Sequence, residues 1–452
     1  MTDKNDIILG LGVSGLAAAE LLHAQGGSVT VVDNSSSPLV EERAEILRRL
    51  GINVATACDD LPSEHFDRCV TSPGLRSDSS WIRELESRGT PVISELELGG
   101  QHCRCPMLAV TGTNGKSTVA KLCAEALELS GYRVTLSGNY GTPLSAIALQ
   151  SAELDWAVVE VSSFQLERVS AFHPQVAIVL NIQQDHLDRH GDMKTYHETK
   201  ARLFKNMGNG DSGIVPYTLS RSLQEVIGSP AERSKMGWVT FGTSPSADYT
   251  YSDENICWSL DGREEFIELH GSELANDVLG VNVAAAVAAL RASECPASDI
   301  ALAARQFRRL PHRMQLVADI NGVRFVNDSK ATNLAALQAA VEMCPSQGRL
   351  IAGGMLKETD LKSVEEMLAK RIHSVYLVGE ASTVMKEAWS GVVRCITCEG
   401  LEDAVHGAWR DARPGETILL SPGCASFDQF RDYQDRGVQF ERIVQSLIEK
   451  ES

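Results

Sequence analysis

The sequence has no apolar run of about 18 residues, the length that a membrane-spanning helix requires, and no cationic leader followed by an apolar segment. It is also poor in basic residues: 42 lysines and arginines stand against 60 aspartates and glutamates, a formal net charge of −18. Because nucleic-acid binding requires clustered cations, this balance argues against a nucleic-acid partner, although a local basic pocket can still bind a nucleotide. We therefore expect a cytoplasmic protein with no membrane and no nucleic-acid partner.

The 11 cysteines are an odd number spread over a long chain, which fits reduced thiols rather than a disulfide framework. Cys103 and Cys105 are too close in sequence for the usual metal-ligand loop. Cys395 and Cys398 have redox or zinc spacing, but no second pair completes a zinc set. We interpret all four as core or surface thiols.

At 452 residues the chain is too long for one hydrophobic core, and about three domains are expected. Apolar strand-like runs alternate with helical patterns, which is typical of parallel sheets with crossover helices. We predict an α/β protein with three domains: a Rossmann-like domain over 1–101, a P-loop-type central mononucleotide-binding domain over 102–310, and a Rossmann-like domain over 311–452. Residues 212–270 are expected to form an antiparallel flank, and a long helix is expected near 427–448.

The string TGTNGKST at 111–118 follows the strand-like run Met107–Val110 and opens a helical pattern. In that context the backbone N–H groups and the positive end of the helix dipole converge on an anion. Lys116 would reach the β- and γ-phosphates, and the hydroxyl of Ser117 or Thr118 would ligate Mg²⁺. The usual pattern has a glycine where this chain has Val110, so the loop is shorter than the generic one. The sequence predicts a nucleoside triphosphate site.

The first segment has the pattern Gly10-x-Gly12-x-x-Gly15, with Asp33 following 18 positions beyond Gly15. One hypothesis is a nicotinamide-dependent oxidoreductase with Asp33 on a ribose. The other is a Rossmann-like domain that binds a different phosphorylated or uridine-bearing ligand. The pattern alone does not separate the two. Gly74 follows a further strand, at the edge where such sheets bind ligands.

The central segment offers candidate metal ligands after two strand-like runs. Glu160 ends one run, and a carboxylate facing a phosphate loop is a natural Mg²⁺ ligand. His186, Asp188 and His190 follow the next run and fit a transition-metal site, a surface turn, or contact of His186 with magnesium or phosphate, which we favour. Lys200, on a helix predicted to begin near Lys194, would by its pattern alone be a solvated lysine.

Three motifs of the third segment each follow a strand and precede a helix: NDSKATN at 327–333, GGMLK at 353–357 and SPGCASFDQF at 421–430. Their loops should therefore gather at one carboxyl edge of a sheet. Small hydroxyl residues and lysines at helix starts form a receptor for carboxylate or phosphate. Together the three loops suggest an anionic second substrate.

These motifs, with GNYG at 138–141, VEVSSFQLE at 159–167, DHLDRH at 185–190 and PHR at 311–313, resemble those of the Mur ligases along the whole chain. SPGCASFDQF, followed by Tyr433, Arg436 and Gly437, is similar to the branch that adds D-glutamate to UDP-N-acetylmuramoyl-L-alanine. Folylpolyglutamate synthases share the phosphate loop but lack a Rossmann-like first domain. The resemblance implies an ATP- and Mg²⁺-dependent ligase for peptidoglycan precursors, whose partners are these small molecules, and we expect a monomer.

By that resemblance, Lys116, Glu160, His186 and Lys200 are the catalytic residues, and Lys200 would be carbamylated, becoming a carboxylate-like metal ligand. The metal ligands would be Ser117, Glu160, His186 and Lys200. ATP would contact Gly112, Thr113, Asn114, Gly115, Lys116, Ser117, Thr118, Asn282, Arg313, Asp328 and Lys330. The UDP substrate would contact Ser14, Asp33, Asn34, Gly74 and Asn139. D-glutamate would contact Thr332, Lys357, Ser426, Phe427 and Tyr433.

Two departures from the family pattern bear on these roles. The family usually has a His-Asn pair ahead of Asn282, where this chain has Val278 and Leu279, so we expect altered or weaker adenine binding. The lysine loop reads GGMLKETD rather than the commoner Gly-rich form, so the family pattern supports the D-glutamate contact of Ser426 more strongly than that of Lys357. An oxidoreductase, a nucleotide-dependent switch without a second substrate, and a ligase for another amino acid or acceptor remain the alternatives.

Overall fold

The computed structural model describes residues 4–228, 235–344, 347–357 and 360–451. The chain divides into two compact units. Unit 1 comprises 1–182, 194–274 and 280–306, and unit 2 comprises 183–193, 275–279 and 307–452. Three sheets organise the chain, two in unit 1 and one in unit 2. The predicted α/β class is confirmed, and the domain boundaries at 101 and 310 stay predictions.

The first sheet of unit 1 has five parallel strands in the order β3-β2-β1-β4-β5. Its strands are β1 (Asn5–Leu9), β2 (Ser28–Val32), β3 (Asn53–Ala55), β4 (Arg68–Thr71) and β5 (Val92–Ser94). Its helices are α1 (Val13–Ala24), α2 (Pro38–Arg49), α3 (Ser80–Ser87) and α4 (Glu95–His102). Ile7, Ile8 and Leu9 are fully buried, because helices cover both faces of a parallel sheet.

The second sheet of unit 1 has nine strands in the order β14-β13-β12-β11-β10-β9-β6-β8-β7. Its strands are β6 (Met107–Thr111), β7 (Val134–Gly138), β8 (Trp156–Glu160), β9 (Val176–Val179), β10 (Ser212–Pro216), β11 (Gly237–Gly242), β12 (Tyr249–Ser252), β13 (Asn255–Leu260) and β14 (Arg263–Glu268). The prediction of an antiparallel flank over 212–270 is wrong for its first part. β10, β11 and β12 pair in parallel, and only β12–β13 and β13–β14 are antiparallel.

Eight α-helices of the described residues lie between Lys116 and Gln306, and most of them belong to the same compact unit as the second sheet. They are α5 (Lys116–Leu129), α6 (Leu144–Ala148), α7 (Ser163–Leu166), α8 (Leu187–His190), α9 (Met193–Ala201), α10 (Ser220–Ile227), α11 (Asp277–Ala292) and α12 (Ala297–Gln306). Alanines dominate the buried side of α11, where Ala284, Ala285 and Ala286 are fully buried. Helix α11 therefore buries mainly small side chains.

The sheet of unit 2 has six strands in the order β15-β16-β20-β17-β18-β19, and only the β15–β16 pair is antiparallel. Its strands are β15 (Gln315–Ile320), β16 (Val323–Asn327), β17 (Gly348–Gly353), β18 (Ile372–Val378), β19 (Arg394–Thr397) and β20 (Thr417–Leu420). Its helices are α13 (Leu334–Met343), α14 (Glu365–Arg371), α15 (Ser382–Trp389), α16 (Leu401–Asp411) and α17 (Tyr433–Glu451). The final helix begins at Tyr433 and not near 427, because residues 421–432 form a loop.

Helix α4 is tied to the second sheet's domain by buried carboxylates. The carboxylate of Glu97 accepts hydrogen bonds from the backbone N–H groups of Ser170, Ala171 and Phe172 at 3.0, 2.8 and 2.9 Å. Glu95 accepts from the backbone N–H of Ser145 at 2.6 Å, and its burial raises the pKa of this carboxyl. These bonds explain why the first two sheets belong to one compact unit. Throughout the described ranges, no helix is both long enough and apolar enough to cross a bilayer.

Candidate nucleotide-binding site

The phosphate-loop motif lies where the sequence predicts it, between a buried strand and a helix. β6 is an interior strand of the second sheet, flanked by β9 and β8, and all five of its residues are buried. Helix α5 begins at Lys116, with Gly115 as its N-cap at φ +87°. The loop 112–115 therefore ends on the first turn of a helix, whose orphan N–H groups and dipole favour an anion.

Asn181, which the sequence argument did not single out, holds this loop. Its side-chain Oδ1 accepts from the backbone N–H groups of Thr113 and Asn114 at 3.1 and 2.9 Å, and its Nδ2 donates to the Asn114 carbonyl at 3.1 Å. Lys116 Nζ donates to the carbonyls of Gly112 and Thr113 at 2.9 and 2.7 Å. The position of Asn181 in the sequence could have indicated this role, because Asn181 follows strand β9, whose carboxyl end lies beside that of β6.

Asn282 lies on α11, against the start of α5. A Cβ built at Gly115 would be 2.6 Å from Asn282 Nδ2. The structure thus brings the side chain that the family pattern assigns to the nucleotide next to the last glycine of the loop. Val278 and Leu279, which replace the family's His-Asn pair, lie in the first turn of the same helix.

Glu160 ends strand β8 and pairs in register with Val110, so its carboxylate lies at the sheet edge where the phosphate loop begins. The side chain is 1% exposed, and its Oε1 accepts a 2.7 Å bond from Asn139 Nδ2. The backbone N–H of Asn139 donates to the Glu160 carbonyl at 2.8 Å. The predicted metal ligand and the predicted sugar contact are therefore direct partners.

Lys200, interpreted from pattern alone as a solvated lysine, is 1% exposed, so that interpretation is wrong. Its Nζ donates to the Gly112 carbonyl at 2.9 Å and lies 4.6 Å from the ring centroid of Tyr196. Tyr196 Oη in turn lies 3.2 Å from Thr113 Oγ1. A buried lysine beside a phosphate loop is a group placed for chemistry rather than for solubility.

His186 lies in unit 2, in a left-handed conformation with φ +54°. Its Nε2 is 3.5 Å from Asp185 Oδ2, which also accepts a 2.9 Å bond from Asn333 Nδ2. Within the described part of the chain, no cluster of three or more His, Cys, Asp or Glu side chains could hold a metal ion. The transition-metal alternative for His186, Asp188 and His190 is therefore unsupported.

The predicted uridine-end residues follow strands β1, β2 and β4 at the carboxyl edge of the first sheet. Both carboxylate oxygens of Asp33 accept backbone bonds, from Leu11 at 2.6 Å and from Ser35 at 2.8 Å. Asp33 thus shapes two loops at the carboxyl edge of the sheet. Asn34 and Gly74 are exposed at the same edge, and Ser14 is partly exposed on the first turn of α1.

The three motif loops of unit 2 gather at one edge, as predicted. They follow β16, β17 and β20, which are adjacent in the order β16-β20-β17. Ser426 is 2% exposed, whereas Phe427 is 66% exposed. Thr332 and Lys357 are partly buried, and Glu358 and Thr359 of the lysine loop lie outside the described residues.

Asp328 is buried in this loop cluster. Its Oδ1 accepts from the backbone N–H of Met314 at 3.0 Å, and its Oδ2 accepts from Ser421 Oγ at 3.0 Å. Burial raises the pKa of Asp328 to about 7, against the lowering effect of these hydrogen bonds and of the charges on Arg313 and Arg309. Two of the predicted ATP contacts, Arg313 and Asp328, are therefore electrostatically coupled.

Lys330 and Tyr433 also meet. Lys330 Nζ donates to Tyr433 Oη at 3.1 Å and lies 4.5 Å from the ring centroid. Below them, Arg436 is 1% exposed and donates to Ser329 Oγ, the Ser329 carbonyl and the Cys424 carbonyl at 3.0, 2.8 and 3.1 Å. Arg436 joins the 327–333 and 421–430 loops, a structural role that the motif alone did not reveal.

A phosphate loop at the carboxyl edge of a largely parallel sheet, accompanied by two further α/β sheets, defines a multidomain phosphate-loop protein. Three family models match the chain: a Mur ligase MurD-like N-terminal domain over 4–94, a Mur ligase middle domain over 110–290, and a Mur ligase glutamate ligase domain over 312–424. Together they cover most of its length. The chain therefore belongs to the Mur ligase family.

Individual relatives agree along the full length. The chain is 35% identical over 447 residues to the UDP-N-acetylmuramoylalanine–D-glutamate ligase of Acidobacterium capsulatum, covering 98% of this chain and 96% of that protein. It is 34% identical over 452 residues to the enzyme of the same name from Koribacter versatilis, covering 99% and 98%. Among solved structures, the pseudomurein peptide ligase type C of Methanothermus fervidus matches with a TM-score of 0.61 at 18% identity, covering 98% of this chain and 100% of that one. That last likeness shows the fold.

Proposed function

We propose that this protein is an ATP-dependent ligase that joins D-glutamate to the alanine carboxylate of UDP-N-acetylmuramoyl-L-alanine, in peptidoglycan precursor synthesis. The single observation that carries the choice of substrates is the full-length similarity to ligases named for this reaction. The phosphate loop 112–118, with Lys116 at the start of α5, supports the use of ATP. A cytoplasmic location and a monomeric state remain predictions.

An amine cannot displace oxide from a carboxylate at neutral pH, so the carboxylate must first be activated. ATP phosphorylates it, which gives an acyl phosphate and ADP. The D-glutamate amine attacks the acyl carbon, a tetrahedral intermediate forms, and phosphate leaves. We assign to Lys116 the stabilisation of charge on the transferred phosphoryl group. In this role, Lys116 Nζ would donate to phosphate oxygens in place of the Gly112 and Thr113 carbonyls that it contacts here.

The residues at the carboxyl edge of the second sheet fit Mg²⁺. Mg²⁺ takes oxygen ligands, usually one or two from carboxylates and the remainder from water and phosphate. Glu160 supplies a buried carboxylate beside the loop, and Ser117 supplies a hydroxyl in the first turn of α5. When bound, the ion would offset phosphoryl charge. Lys200, if carbamylated, would add a carboxylate oxygen beside the loop. His186 is a proposed magnesium contact on the family resemblance alone.

We assign the loop cluster of unit 2 to D-glutamate. Thr332, Lys357, Ser426, Phe427 and Tyr433 are the proposed contacts. The meeting of three loops at adjacent strand ends supports this assignment, because strand ends of this kind converge on ligands. Asn282, Arg313, Asp328 and Lys330 are proposed contacts of ATP. Ser14, Asp33, Asn34, Gly74 and Asn139 are proposed contacts of the UDP substrate.

Phosphate release tests the proposal. The purified protein is assayed with ATP and Mg²⁺ against a panel of D- and L-amino acids, each with UDP-N-acetylmuramate and with UDP-N-acetylmuramoyl-L-alanine. We expect turnover only for D-glutamate with the alanyl acceptor. Turnover with a different pair would reassign the branch. ATP hydrolysis indifferent to both substrates would favour a nucleotide switch, and NADH binding seen by fluorescence would favour the oxidoreductase alternative.

A further inference from the structure

Two thiols touch at the entrance to the phosphate-loop strand. Cys103 Sγ and Cys105 Sγ are 3.5 Å apart. Cys103 directly follows α4 (Glu95–His102), and only Pro106 separates Cys105 from β6 (Met107–Thr111). Cys103 is partly exposed, whereas Cys105 is 7% exposed. A partly exposed cysteine thus contacts a buried one.

The contact makes the two thiols unequal. The hydrogen bond from the Cys105 thiol lowers the pKa of Cys103 to about 7, with burial opposing it. The same hydrogen bond, followed by burial, raises the pKa of Cys105. A thiol of pKa 7 is about half ionised at neutral pH, and the thiolate is the nucleophilic form. Cys103 is also the more exposed residue of the two, so we assign it as the attacking sulfur and Cys105 as the thiol that can resolve its oxidised form.

The second cysteine pair provides the contrast. Cys395 packs with the hydrophobic cluster that includes Leu350 and Trp389, and Cys398 packs with the cluster that includes Ile351 and Phe440. Leu350 and Ile351 are neighbours in β17, so their side chains point to opposite faces of the sheet. Cys395 and Cys398 have redox-like sequence spacing but pack on different faces of the sheet. Cys103 and Cys105 have a tighter spacing, and their sulfurs are in contact.

We propose that Cys103 and Cys105 form a reversible disulfide on exposure to hydroperoxides. The Cys103 thiolate attacks a peroxide oxygen and the O–O bond breaks, giving a sulfenic acid at Cys103. With hydrogen peroxide, the leaving hydroxide takes up a proton and becomes water. Cys105 sulfur then attacks the Cys103 sulfur, its proton leaves with the hydroxyl as a second water, and the S–S bond forms. The two thiols are oxidised by two electrons, and the peroxide is reduced. Closure shortens the sulfur separation from 3.5 Å to about 2.05 Å.

The surroundings favour a labile bond rather than a structural one. A ring closed across a single residue, Arg104, departs from relaxed disulfide geometry and is correspondingly easy to reduce. The backbone N–H of Arg104 donates to Ser151 Oγ at 3.0 Å, and that of Cys103 donates to the Gly99 carbonyl at 2.8 Å. These bonds hold the segment in place on both sides of Cys103 while the sulfurs approach.

Arg104 makes the test direct, since trypsin cleaves after it. The full-length protein is treated with hydrogen peroxide, its remaining thiols are alkylated, and it is digested without reductant. We expect peptides 89–104 and 105–116 to appear as one disulfide-linked species that separates on reduction. Cys103→Ala and Cys105→Ala should each abolish it, whereas Cys398→Ala, a control in the other pair, should leave its yield unchanged. Circular dichroism melting confirms that each variant folds.

A second measurement separates a reactive pair from mere packing. Cys105→Ala removes the donor to Cys103, so iodoacetamide should alkylate Cys103 about tenfold more slowly at pH 7, as its pKa returns toward the ordinary range. Cys398→Ala should not alter that rate. The proposal is overturned if peroxide oxidises other cysteines of the wild type without linking the two peptides, or if the Cys103 rate is the same with and without Cys105.

Discussion

Asn282 on α11 and Gly115 at the start of α5 are in such close contact that a Cβ at Gly115 would lie 2.6 Å from Asn282 Nδ2 and 3.1 Å from its Cγ. The loop therefore has its shape fixed from two directions. Asn282 limits the space at its end, and Asn181 bonds the amides of Thr113 and Asn114 at its centre. A preorganised anion site requires this kind of support, because a flexible loop would pay a conformational-entropy cost on binding that reduces its affinity for the anion.

Gly115→Ala should reduce ATP affinity at least tenfold. The new methyl group must displace the Asn282 side chain. The alanine must also adopt a backbone φ of +87°, which L-residues rarely do. Gly131→Ala, at the other end of α5, is the matched control: it has the same φ of +87° with no atom within 4 Å of the new Cβ. We expect it to cost about 1 kcal/mol of unfolding free energy and no affinity. Calorimetric ATP titrations and denaturant unfolding measure both quantities, and equal affinity losses in the two variants would contradict the role of the Asn282 contact.

Lys116→Met should lower kcat by about 10²–10³-fold while the fold is retained, because one preorganised cation at the phosphoryl group is lost. The variant also loses two bonds to loop carbonyls, at 2.9 and 2.7 Å. Lys121→Met, on the same helix, removes a lysine that pairs with Glu125 at 2.5 Å and should cost only a few tenths of a kcal/mol in stability. Steady-state phosphate release and thermal unfolding distinguish the two. A Lys116→Met enzyme of near-normal rate would refute the assignment.

Lys200→Ala should be largely inactive and should regain much of its activity with formate or acetate, without bicarbonate. The physical reason is that a small carboxylate can occupy the space of the proposed carbamate next to the loop, where Lys200 Nζ now lies 2.9 Å from the Gly112 carbonyl. Lys116→Met provides the control, since its missing group is a cation that carboxylates cannot replace. Activity against carboxylate concentration is the measurement. If no concentration restores Lys200→Ala, the carbamate hypothesis loses its support.

The parts of the site that were predictable from sequence are those that local chemistry determines. TGTNGKST required a strand before it and a helix after it, and both are present. The three loops of unit 2 could be placed together because each follows a strand, and the carboxyl ends of parallel strands share an edge. The order of elements along the chain is enough to place both features.

The missed features depend on contacts between distant segments. Lys200 looks like a surface lysine in its own helix, and only its approach to Gly112 and Tyr196 shows that it is buried. Asn181 has no motif of its own, and its role comes from the adjacency of β9 and β6. The parallel pairing of β10–β12 was mispredicted, because short strands with turn residues have the same local pattern in either orientation.

Asp328 gives the protein a pH-dependent stability of definite sign. Its pKa of about 7 in the folded state exceeds the ordinary 3.8, so between pH 4 and pH 7 the folded state holds a proton that the unfolded state has released. Stability is therefore lost as pH rises through this window and levels off above it, by roughly 4 kcal/mol at most. Asp328→Asn cannot ionise and should not show that loss. The free energy of unfolding of the variant, relative to that of the wild type, should therefore increase from pH 4 to pH 8. Hydrogen exchange in β16 measures it, with Asp319→Asn, an exposed aspartate of β15, as the control. A pH profile that Asp328→Asn leaves unchanged would show that Asp328 is ionised in the folded protein.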